Sequence, residues 1–99
     1  MSHRIIVRPE AQGDLRLAYR WYEAQRQGLG DEFLLCVDAC MAGILRHPRL
    51  APVAHRDARR ALLRRFPYGV FYVVGEEAIS VIAVMDLRRS PRLLEERLG

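Results

Sequence analysis

The chain has 99 residues, a mass of 11.4 kDa, 51% apolar and 28% charged residues. This is the make-up of one globular domain with one core, which excludes a disordered tail, a low-complexity segment and a deep internal substrate cavity. The net charge is +4, the pI about 9.7, and all sixteen basic residues are Arg, which points either to an acidic partner (nucleic acid or an acidic protein segment) or simply to GC-rich codons.

The elements are expected in this order. Residues 3–8 are β-branched and short and predict a strand. Pro9 and Glu10 open a helix, because Pro suits the first turn and Glu complements the dipole. Ala11, Leu15, Ala18 and Tyr22 form its apolar stripe, and Trp21 is expected in the core beside it. Gly28-Leu29-Gly30 should stop that helix, and Asp31 should cap a second. Phe33, Leu34, Val37, Met41, Ile44 and Leu45 line the second helix, which ends at His47-Pro48. The short connection predicts an antiparallel hairpin. Residues 50–57 look irregular. Three strands of an antiparallel meander follow at about 58–66, 70–74 and 78–87, with turns at Pro67-Tyr68-Gly69 and Gly75-Glu76-Glu77. The tail from Ser90 can add a short helix ending near Leu98.

Strand alternation puts Ile79, Val81, Ala83 and Met85 on one face and Ile82 and Val84 on the other. Phe71 and Val73 likewise oppose Val70, Tyr72 and Val74. Both faces of the sheet are therefore apolar. The hairpin can cover one, and the tail or a partner chain must cover the other.

Few residues suggest chemistry. Cys36 and Cys40 share a helix face and read as small buried hydrophobes, with no disulfide or zinc site in prospect. Gly28-Leu29-Gly30 follows a helix, so it is no phosphate loop, and Ser2, Ser80 and Ser90 sit in no nucleophile elbow. His3, His47 and His55 lack metal-ligand spacing. No cofactor or metal is expected. No signal peptide and no run of about 20 apolar residues is visible, which predicts a cytoplasmic protein without membrane contact. The chemical signal that stands out is Arg. Arg59-Arg60 and Arg64-Arg65 are expected on one strand, with Arg88-Arg89 and Arg92 after the last, as an anion-binding rim.

These residues resemble ParE-like toxins of the RelE/ParE superfamily, the plasmid stabilization proteins. The likeness rests on Pro9-Glu10-Ala11, Asp14-Leu15, Trp21-Tyr22-Glu23, Gln25, Gly28-Leu29-Gly30 and Phe33 in the first half. It continues through Arg59-Arg60, Leu62-Leu63, Arg65-Phe66-Pro67-Tyr68, Val70, Tyr72, Val81 to Val84, Arg88-Arg89 and Pro91. It implies a single α+β toxin domain over residues 1–99: strand, helical hairpin, three-stranded antiparallel meander in one sheet, and a possible C-terminal helix.

The resemblance further implies the toxin of a type II toxin–antitoxin pair, neutralised by a ParD-like antitoxin whose acidic or amphipathic C-terminal segment wraps the toxin. DNA would be contacted only indirectly, through the antitoxin. RelE-type relatives cut mRNA on the ribosome with sheet Lys and Arg and a late Arg and Tyr. Here Gly69 stands at the sheet Arg, and Leu87 and Leu93 stand at the late pair, although a slip of one residue would put Arg88 there. No Lys occurs anywhere and no Tyr follows Tyr72. ParE-type relatives poison DNA gyrase by binding, so a non-enzymatic gyrase inhibitor is the favoured expectation. The alternatives are a ribosome-dependent endoribonuclease with a rearranged site using His55 or Arg64, and a non-toxic antitoxin-binding module. Phe71, Val73, Val81 and Met85 are the candidates for the antitoxin groove. Arg60, Arg64, Arg65, Arg88, Arg89 and Arg92 are the candidates for charged contacts.

Overall fold

The computed structural model describes residues 4–88 and 91–98. In chain order the elements are β1 (Arg4–Val7), α1 (Pro9–Gln25), α2 (Leu29–Arg46), β2 (Val53–His55), β3 (Ala58–Leu62), β4 (Tyr68–Val74), β5 (Ala78–Asp86) and α3 (Pro91–Leu98). One sheet runs in the order β1-β5-β4-β3-β2. The class is α+β as expected, but the sheet is more than a three-stranded meander. It has five strands, and β1 pairs with β5 in parallel, Ile5 opposite Ile79. The stretch expected to be irregular holds β2, an edge strand on β3.

The helical hairpin forms as its stripes predict, with one difference at the turn. Asp31 is not the cap. Gly28 occupies that position at φ 90°, a conformation glycine adopts without strain, and α2 starts at Leu29. The exposed donors of this start are satisfied from α1: the Glu23 carboxylate accepts the Gly28 N–H at 2.9 Å and the Gly30 N–H at 3.0 Å. Gly30 therefore lies inside α2, and a Cβ there would stand 2.7 Å from the Tyr19 ring. Absence of a side chain lets the two helices approach closely.

β3 ends at Leu62, so Arg64 and Arg65 lie in the following turn and not on the strand. The reason is packing. Leu63 and Phe66 both enter the helix-side core, which strict alternation over that spacing forbids. Arg65 resolves this by taking φ 70°. Phe66 then meets Tyr22 at 4.9 Å and Phe33 at 5.4 Å, edge to face in both cases.

A bulge resets the phase of β5. Phe71 pairs with Ala83 but Tyr72 pairs with Val81, which leaves Ile82 as the extra residue. After it, Val84 joins Ile79 and Val81 on the helical-hairpin face with Val70 and Tyr72. Ala83 and Met85 turn to the opposite face with Phe71, under Leu94 of α3. Alternation alone had placed Ile79, Val81, Ala83 and Met85 together. The second apolar face is thus covered by the chain's own tail.

Candidate partner-binding surface

The four residues expected to form one groove do not meet. Val81 is fully buried against the hairpin, because the bulge leaves it on that face. Phe71 and Met85 do share a face, but α3 covers both. Val73 is half-buried on β4, next to Phe71 in sequence. Of the expected charged contacts, Arg60 and Arg64 are exposed, and no ion pair reaches either among the described residues. Arg65 donates to Glu32 at 2.6 Å and Arg88 holds Asp86 at 2.6 Å. Arg92 is exposed in the first turn of α3. Arg89 lies outside the described residues.

An open groove of about 910 Å³ runs instead between α1 and the end of the β4–β5 hairpin. Leu17 and Trp21 form its α1 wall. Pro67, Tyr68, Asp86 and Arg88 form the other, and Ala18, Tyr22, Val84 and Met85 also line it. Leu17 is 66% and Trp21 59% exposed, so Trp21 is not the core residue its neighbours suggest. Its ring stands edge-on to Tyr22 at 5.0 Å. The sequence did carry a signal for this pair. Leu17 and Trp21 are four apart and out of phase with the Ala11-Leu15-Ala18-Tyr22 stripe, so a second apolar row was bound to face outward.

Asp14 and Arg97 close one end of the groove. Arg97 donates two bonds of 2.9 Å to the Asp14 carboxylate and a third of 3.1 Å to the Ile82 C=O. Asp14 also accepts the Val84 N–H at 2.9 Å. The backbone groups around the bulge therefore find their partners on α1 and α3. The bond to Asp14 holds the Arg97 guanidinium above its ordinary pKa, and the bond to Asp86 does the same for Arg88. Both groove cations are thus already matched by carboxylates.

Nucleophilic chemistry finds little support. Burial pushes the Cys40 thiol up to about 11, which keeps it protonated at neutral pH. Burial also raises Tyr22 and Tyr72, and the Tyr72 hydroxyl donates to the Pro48 C=O at 2.7 Å. Among the described residues no three His, Cys, Asp or Glu gather as a metal site. No described helix is long and apolar enough to cross a membrane.

The sequence profile of the ParE toxin of type II toxin–antitoxin systems (parDE) matches residues 5–91. The chain belongs to the ParE toxin family. Among solved structures it is similar to a chain of the chromosomal ParDE TA system from P. aeruginosa, with a TM-score of 0.77 at 13% identity. That match covers 86% of this chain and 96% of the other, and at such identity it speaks for the fold. No curated protein sequence matches. The ParE profile spans the strand, the helical hairpin and the whole sheet, and it ends at the first residue of α3.

Proposed function

We propose that this ParE-family chain acts as a toxin by binding, that DNA gyrase is its target, and that a ParD-like antitoxin neutralises it in the cytoplasm. DNA is then reached only through the antitoxin. Membership of the family over residues 5–91 carries this reading. The surface supports it: an open apolar groove with its cations paired to carboxylates suits a protein partner better than a small substrate. The test is a plasmid supercoiling assay with gyrase and ATP. Loss of supercoiling or trapped cleaved plasmid, reversed by the antitoxin, is the expected result. Unchanged supercoiling with folded protein would remove gyrase as the target.

One observation favours the ribonuclease reading as an alternative. The Arg60 stem lies across Gly69, where its Cγ would stand 3.0 Å from an added Cβ. A cation from β3 therefore passes over the position at which RelE-type relatives carry their sheet Arg. Cleavage of translated mRNA that disappears in Arg60→Ala would favour this reading. A chain that binds the antitoxin yet does neither would be a non-toxic binding module.

A further inference from the structure

The outward face of α2 carries a row of its own. Leu35, Ala39, Ala42 and Arg46 repeat at i, i+4, i+7 and i+11, opposite the buried Phe33, Val37 and Ile44. All four are exposed, Leu35 at 68%. Asp38 and Leu45 flank the row on one side and are exposed too. Arg46 sits in the last turn, where it complements the helix dipole, but Asp38 stands at mid-helix, where the dipole gives a carboxylate no advantage. No ion pair reaches Asp38 or Arg46 among the described residues. They are eight residues apart, about 12 Å along the axis, so they cannot pair within one helix.

That pattern is self-complementary. Asp38 and Arg46 lie four residues on either side of Ala42. An antiparallel second copy of α2 crossing at Ala42 therefore stands each Asp38 level with the other copy's Arg46, and symmetry makes two ion pairs at once. A parallel crossing would stand Asp38 against Asp38 and Arg46 against Arg46, which like charges oppose. The small side chain of Ala42 at the crossing lets the axes reach the near end of the usual spacing of about 8–10 Å. Leu35 then comes level with the other copy's turn after α2, where Leu50 is 80% exposed. Nucleic acid suits this face poorly, because it would meet the Asp38 carboxylate and exposed leucines. The groove beside α1 has no lining residue from α2, so such a pair leaves both grooves open.

We infer that the outward face of α2 is a homodimer interface, taken by an antiparallel second copy of this chain that crosses at Ala42 and is joined by two Asp38–Arg46 pairs. The inference is independent of the target and antitoxin readings above. A single helix crossing buries less than about 1,200 Å² in total, the size of a transient contact, so the dimer forms and dissociates with concentration.

Sedimentation equilibrium of the chain alone, over a concentration series, tests this. The mass should rise from 11.4 kDa towards twice that value. Ala42→Glu should weaken association at least about tenfold, because it sets bulk and like charge on the two-fold axis. Asp38→Arg and Arg46→Asp should each weaken it about tenfold. Mixing these two single variants should restore a mixed dimer, since each supplies the charges that the other lacks. All three variants should keep the wild-type circular dichroism spectrum, because the positions are exposed. A chain of 11.4 kDa at every concentration overturns the inference. So does a dimer that all three variants leave unchanged, which would place the contact on another face. Folded single variants that are each weakened, yet fail to associate when mixed, overturn the Asp38–Arg46 pairing and with it the antiparallel register.

Discussion

On one face of the sheet, helices of 17 and 18 residues bury a continuous core of Phe33, Val37, Tyr72, Ile79 and Val81 with an aromatic cluster at one end. On the other, a helix of eight residues covers Phe71, Ala83 and Met85 with one buried side chain, Leu94, and the Asp14–Arg97 pair. The first face is held by many interlocking contacts and the second by a few. A core of shared contacts loses a large amount at once when any member is removed. A short cover held by Leu94, the partly buried Leu93 and Leu98 and the Asp14–Arg97 pair can loosen without unfolding the domain.

The largest effect should come from the first face. Phe33 is fully buried between Tyr22 and Phe66, so Phe33→Ala should cost about 3–5 kcal/mol in denaturant unfolding. A loss below about 2 kcal/mol would mean that the aromatic cluster repacks. Leu94→Ala should cost less, about 2–3 kcal/mol, because the cavity opens at the edge where α3 can settle. A loss as large as that of Phe33→Ala would show the two faces to be equally central.

Asp14→Asn should cost about 1–3 kcal/mol, since it weakens the Arg97 pair and the Val84 bond together at a site 15–23% exposed. Amide exchange in α3 should rise while exchange in α2 stays as it was. Equal acceleration in both would merge the faces into one cooperative unit. The smallest effect concerns Glu32, which bonds to Arg65 and then Arg26 and whose carboxyl is held below its ordinary pKa. A lowered folded pKa gives stability that is present above the unfolded pKa and lost as pH falls through the folded value. Melting temperature should therefore fall slightly more for the wild type than for Glu32→Gln on acidification below pH 4.5, the ordinary value. Identical acid profiles would show that the exposed Arg65–Glu32 bridge contributes nothing.

The helical hairpin was readable in the sequence because its cause is local: Ala11, Leu15, Ala18 and Tyr22 repeat with the helix, and Pro9 marks its start. The family likeness and the β3-β4-β5 meander were readable too, but not the edge strand β2 or the parallel pairing of β1 with β5. The site was less so. Trp21 looked like core because it adjoins Tyr22, yet only its position around the helix decides exposure. The Arg residues were visible as a class, but their partners were not. Arg65 finds Glu32 and Arg97 finds Asp14, far apart in the chain.

The amino-acid sequence by itself determined the hairpin, the α+β class and the presence of two apolar sheet faces, since periodicity and turn residues act over a few positions. Tertiary structure decided which side chains each face receives. The extra residue at Ile82 is tolerated because Asp14 on α1 and Arg97 on α3 satisfy the Val84 N–H and the Ile82 C=O. That one-residue change of phase sends Val81 and Met85 to opposite faces. No pattern within β5 could foretell it, because the groups that stabilise the bulge lie elsewhere in the chain.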